Sequence, residues 1–102
     1  MNTIDHHLYS LDHLEGPGHE TLQFVHKTPK PGATDGTLDL VKMGTTNEEV
    51  LKVVIDRVRA MNEKFKCEEN VATLDLLNRA LWWMDKRTRD RRARGVEGKA
   101  VA

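Results

Sequence analysis

The sequence predicts an α+β protein: an irregular N-terminal segment with a short two-stranded β-ribbon, followed by a long antiparallel α-helical hairpin. Two observations carry this. All three prolines, five of the seven glycines and all five histidines lie at or before Gly44, whereas the remainder is almost unbroken helix-forming sequence. Beyond Gly44, apolar residues recur at alternating steps of three and four, the period of one face of an α-helix. The chain therefore divides into residues 1–44, a helical hairpin at 45–98 and a tail at 99–102, as parts of one domain.

In the first part, Gly16–Gly18 (GPG) reads as a turn, and Thr21–Lys27 alternates imperfectly, as a short strand does. The segments Pro29–Gly32 (PKPG) and Asp35–Gly36 (DG) interrupt the chain before a second strand at Thr37–Met43. Two such strands form a ribbon that is marginal alone and must lie on something.

Thr46 followed by Glu49 is a capping-box signature and opens a first helix over Asn47–Phe65, with a seam of Leu51, Val54, Val58, Met61 and Phe65. After a break at Lys66–Cys67, Glu68 and Glu69 suit the positive end of a second helix. Its seam is Leu74, Leu77, Leu81, Met84 and Thr88, and Gly95 supplies its C-terminal stop. The second helix outruns the first by about ten residues, so its end overhangs.

That overhang carries Arg87, Arg89, Arg91, Arg92 and Arg94. Arg87 and Arg91 stand one turn apart, so two guanidinium forks can converge on one doubly charged anion, a geometry Lys cannot match. The alternative is a solvated cluster favoured by the helix macrodipole alone. A second stripe, Ala72, Leu76, Ala80 and Trp83, runs into Arg87 and Arg91. One helical partner cannot cover both stripes, so either the β-ribbon covers the second or two copies of the chain pair along it.

Composition narrows the function. Sixteen basic and sixteen acidic residues cancel; residues 1–45 hold three basic against six acidic groups and residues 46–102 thirteen against ten. A polarised but neutral chain argues against non-specific duplex binding as its main task. The single Cys67 excludes an intramolecular disulfide, and no apolar run approaches the ~20 residues of a membrane span. With no basic-apolar signal segment at the start, the expected compartment is a reducing cytoplasm. His6, His7, His13 and His19 interleave with Asp5, Asp12, Glu15 and Glu20 at spacings that fit no standard zinc pattern, so no metal is assigned. Adjacent Trp82 and Trp83 point about 100° apart on a helix, one for each packing face. Tyr9 and Cys67 lack neighbouring bases, and no Ser-His-acid, Walker or dinucleotide signature appears, so neither catalysis nor a cofactor is expected.

Several segments together resemble a known family. They are His6–Tyr9 (H-H-x-Y), Gly16–Val25 (G-P-G-H-E-x-L-x-F-V), Val54–Val58 (V-I-D-R-V) and Glu69–Gly98, which runs from E-N to R-T, R and R-G-V-E-G. In these the chain looks like the small bacteriophage anti-Thoeris and anti-CBASS sponges, helical-hairpin proteins that sequester cyclic nucleotide immune signals without cleaving them. The resemblance implies a homo-oligomer, a dimer or a hexamer built from dimers, acting in the infected host's cytoplasm. It implies a cyclic ADP-ribose isomer as ligand, held by the positions that match the family's Asn and paired Arg, here Asn70, Arg87 and Arg91. A related branch takes cyclic di- and trinucleotides instead. Where many members carry Thr-Lys in the second helix this chain has Asp75–Leu76, and where an aromatic residue would stack on a base it has Ala60 and Met61. Met61 can pack against a ring, or equally sit in the first helix's seam. Asn70 and Arg87 are seventeen residues apart, about 25 Å along a helix, so one chain cannot wrap a small ligand with both. An antiparallel dimer can. The reading from another class is a nucleic-acid or protein interaction module built on the arginine end, marked by steep salt dependence.

Overall fold

The computed structural model describes residues 1–102 as five strands in two small antiparallel sheets, followed by two helices. The chain forms two compact units, Met1–Thr46 and Asn47–Ala102. No helix is long and apolar enough to cross a membrane.

In the first unit, β1 (Asn2–Thr3), β2 (Leu8–Asp12) and β3 (His19–Gln23) form a sheet in that order, with Leu8 opposite Gln23 and Asp12 opposite His19. The bend between β1 and β2 is fixed by Asp5, whose Oδ1 accepts the backbone N–H groups of His7 (2.9 Å) and Leu8 (2.8 Å). Those two bonds favour the ionised carboxylate and hold Asp5 below the ordinary range. Between β2 and β3, Gly16 takes the positive φ (82°) that the GPG turn needs.

The second sheet pairs β4 (His26–Pro29) with β5 (Leu38–Lys42), with a register shift between His26 and Lys27. The simple two-stranded ribbon is thus corrected. The expected strand Thr21–Lys27 is divided between the sheets because its partners change midway. Phe24 N–H donates to the His7 carbonyl (2.7 Å), whereas Val25 N–H donates to the Thr45 carbonyl (2.9 Å). Thr45 N–H returns a bond to the Gln23 carbonyl (2.9 Å). This crossing of backbones requires Gly44, since a Cβ there would lie 2.5 Å from the Gln23 carbonyl oxygen and the Phe24 carbonyl carbon. The unpredicted β2 brings Tyr9 edge-on to Phe24, with ring centroids 5.8 Å apart.

In the second unit, α1 (Asn47–Lys64) and α2 (Glu68–Ala93) pack together as a hairpin. Each begins on paired glutamates and ends on cations, as the helix dipole favours. The short connection is held by Cys67 N–H on the Asn62 side-chain oxygen (3.2 Å) and by Val71 N–H on the Cys67 carbonyl (3.2 Å). The C-terminal stop of α2 falls where Gly95 (φ 71°) reverses the chain and donates to the Arg92 carbonyl (3.1 Å).

The seam predicted for α2 is its sheltered side: Leu74, Leu77, Leu81, Met84 and Thr88 are all half-buried. The seam predicted for α1 is rotated. Ile55 is the one buried apolar residue, flanked by half-buried Leu51, Val58 and Asn62, whereas Met61 is 51% and Phe65 81% exposed. A helix covered on one side by a single partner buries a narrow line, here 51-55-58-62, which obeys the same period as the expected line. Because this core is thin, Ile55→Ala is expected to cost about 2–3 kcal/mol, the lower part of the range for deleting a buried aliphatic side chain. Urea denaturation should show a lower midpoint at unchanged slope.

Candidate functional site

The arginine end of α2 is sorted by its partners. Arg91 is 5% exposed and is the one buried charged residue of the chain. Its Nε donates to Glu97 Oε2 (3.1 Å), one terminal nitrogen to the carbonyls of Val96 and Lys99 (both 2.8 Å), and the other to the carbonyl of Val101. These acceptors come from the segment after Gly95, which turns back on itself. Val96 N–H bonds the Arg91 carbonyl (3.0 Å), Lys99 N–H bonds the Val96 carbonyl (3.0 Å), and Gly98 takes a positive φ of 79°. Arg94 extends the same arrangement, donating to the Ala102 carbonyl (2.7 Å).

Arg87 is different. It is exposed, and its guanidinium has no protein partner, as is also true of Arg89 and Arg92. Lys86 is engaged with Asp90 (2.6 Å), a bond that also holds the Asp90 carboxyl below its ordinary range. The expected joint fork of Arg87 and Arg91 is therefore not presented. Although the two are one turn apart, Arg91 continues the sheltered line 74-77-81-84-88-91, and its donors are spent on the chain's own tail. Sequence reasoning missed Glu97 and the tail carbonyls. The signal that could have found them is the pair Gly95 and Gly98, which allows six residues to double back on the helix end.

Asn70, in the first turn of α2, is half-buried and about 25 Å along the helix from Arg87. Met61 lies on the exposed side of α1, in a shallow groove with Asp56, Arg57, Ala60 and Lys64. Arg57 and Lys64 are within a turn of Met61 on either side, so this groove offers an apolar floor between two cations. Asn70 and Met61 thus belong to the end of the hairpin where the helices connect, Arg87 and Arg91 to the opposite end.

Within the hairpin, α1 does not cover the whole of the second stripe of α2. Leu76 is 63% and Trp83 64% exposed, and Ala72 is exposed too, with Ala80 half-buried. Of the two tryptophans expected to serve one packing face each, Trp82 is 51% exposed and is not part of the hairpin's core, which corrects that half; Trp83, 64% exposed, stands on the second stripe, and the two rings meet edge-to-face with centroids 4.8 Å apart. The histidines make local pairs. His7 stacks on His26 at 3.8 Å, and His13 meets Glu20 at 3.1 Å. No group of three or more His, Cys, Asp or Glu is placed to hold a metal ion.

Fold and site together define a small α+β protein whose helical hairpin ends in three free guanidinium groups and one buried one. No family model matches the chain. It is 43% identical over 56 residues to a protein described as Thoeris anti-defense 1, from Bacillus phage SBSphiJ7. That match supports the anti-Thoeris family, the resemblance carried by the sequence motifs. It covers 54% of this chain and 39% of the relative, so the chain spans about two fifths of the length of the protein it matches.

Proposed function

We propose that the chain acts for a phage against Thoeris-type defence, in the cytoplasm of the infected host, as a sponge that binds a cyclic ADP-ribose isomer and holds it without cleaving it. The observation that carries this is the 43% identity to Thoeris anti-defense 1. The geometry is compatible with it. A pyrophosphate is an acceptor-only dianion, and Arg87 is an exposed fork with no partner in its own chain. Asn70 can both donate to and accept from a ribose or base edge. Pairing two chains antiparallel along Leu76 and Trp83 brings the arginine end of one helix to the Asn70 end of its partner. Each shared pocket then takes Arg87 from one chain and Asn70 and Met61 from the other, while Arg91 stays buried against residues 96–101 of its own chain.

Two measurements test this reading. In a thermal-shift panel, a cyclic ADP-ribose isomer at 100 times Kd should add about 2.7 kcal/mol of stability. A shift by cyclic di- or trinucleotides alone would instead make the chain a sponge for CBASS signals, and a panel with no shift at all would remove the sponge reading. The second measurement follows the ligand's mass, which should be unchanged after incubation, with intact ligand recovered from heat-denatured protein. The reason is chemical: no activated nucleophile or paired acid and base stands near Arg87. Several turnovers of product per chain would make the protein an enzyme.

A further inference from the structure

Trp82 has no task in the hairpin's core or on the second stripe. It is 51% exposed and stands about 100° round the helix from Trp83. Steps of seven residues lead from it to Asp75 and Glu68 in one direction and to Arg89 in the other, so all of these lie along one line of α2 that drifts by only about 20° per step. Glu68, Asp75 and Arg89 are exposed. The helix dipole accounts for acidic residues at one end of the line and a basic residue at the other. It does not account for an indole set midway between them in water.

The line is complementary to itself in one orientation. Laid antiparallel on a second copy, with Trp82 against Trp82 at the two-fold axis, it brings Asp75 of each chain against Arg89 of the other, because both stand seven residues from the centre. Laid parallel, it sets Asp75 on Asp75 and Arg89 on Arg89. The charged groups are open to the antiparallel pairing. Arg89 has no partner in its own chain, and Asp75 is engaged by the exposed Arg79 one turn away, at 3.1 Å, a contact of a kind that contributes little in water. The indole is also held in advance, backed edge-on by the ring of Trp83 at 4.8 Å, so less side-chain freedom is lost when it docks. A tryptophan flanked by charged groups has the composition of an interface anchor with its polar rim.

We infer that the line through Asp75, Trp82 and Arg89 is a second self-association surface, separate from the stripe of Leu76 and Trp83 and from Asn70 and Arg87, and that it joins dimers into a larger closed assembly. One such contact between two single chains is weak, since its ion pairs are exposed. A dimer carries the line twice, so the contacts act together once a set of dimers closes. The inference does not depend on what the protein binds.

Exchanging the charges tests it. Asp75→Arg turns both ion pairs of the contact into repulsions, and so does Arg89→Asp. In sedimentation velocity at low ionic strength, each variant alone should stop at the dimer, with unchanged helical circular dichroism, whereas the natural chain should have about twice that mass or more. Between the two variants every contact again joins opposite charges, so an equimolar, subunit-exchanged mixture should regain the mass of the natural chain, as should one chain carrying both changes. Trp82→Ala should stop at the dimer as well. Equal masses for the natural and Asp75→Arg chains would overturn the inference and leave this face to solvent or to a different protein. A mixture that fails to regain the natural mass would overturn it too. Leu76→Glu keeps the two surfaces apart: if that change leaves the natural assembly intact while the charge exchange works, the paired stripe fails and the Trp82 line stands.

Discussion

When Arg87→Ala chains are mixed with Asn70→Ala chains and allowed to exchange subunits, ligand binding is expected to return although each variant alone binds poorly. Losing one charge-assisted bond to a phosphate should cost about 1.5–3 kcal/mol, or roughly ten- to a hundredfold in affinity. Asn70→Ala removes a neutral partner and should cost less, about 0.5–1.5 kcal/mol. If each pocket draws Arg87 from one chain and Asn70 from the other, both lesions of a mixed dimer fall in the same pocket and its second pocket is wholly intact. With random exchange about half of the dimers are mixed, so about a quarter of the wild-type high-affinity sites should reappear in calorimetry. Failure of any high-affinity site to return would show that the pocket is not shared in this way. Arg87 is the right partner for this experiment and Arg91 is not. Arg91→Ala also releases residues 96–101, which lose all four of its bonds, so its effect on binding would mix a lost contact with a freed tail.

The helices were legible because their signals are local. Acidic first turns, a break at Lys66–Cys67 and a glycine stop placed both helices to within a residue or so, and the periodicity of α2 named its sheltered line from Leu74 to Thr88. In α1 the same period admits two neighbouring lines. Val54 and Ile55 are adjacent and both apolar, and the polar Asn62 on the sheltered line disguised which of them the partner helix covers. Strand β2 was missed for a different reason. Leu8–Asp12 has no strong strand preference of its own, and its place in the sheet comes from β3 opposite and from the Asp5 turn before it. Arg91 marks the limit of spacing arguments. It lies four residues after Arg87 and three after Thr88, so it extends both stripes of α2. What decides between them is a set of carbonyl oxygens beyond Gly95, which no periodicity within the helix encodes.

Leu76→Glu is expected to convert a dimer into folded monomers, and it is the change with the largest effect on assembly. The site is chosen because Leu76 is 63% exposed in the single chain, so a carboxylate there stays in water and leaves the hairpin's own packing untouched. In a dimer paired along this stripe the same carboxylate is pressed between two helices, twice per dimer by symmetry. Burying an unpaired charge costs several kcal/mol, enough to move a micromolar association out of reach. Trp83, one turn further along with its indole 64% exposed, supplies the large anchor that self-complementary interfaces favour, and Trp83→Ala should weaken the same association more mildly. Light scattering at micromolar concentration should report a dimer or a multiple of it for the natural sequence and a monomer for Leu76→Glu, with unchanged helical circular dichroism. If the pocket is shared, ligand binding should fall with the dimer. A natural sequence that is monomeric at this concentration would overturn the paired stripe, and a Leu76→Glu monomer that still binds ligand with full affinity would overturn the shared pocket.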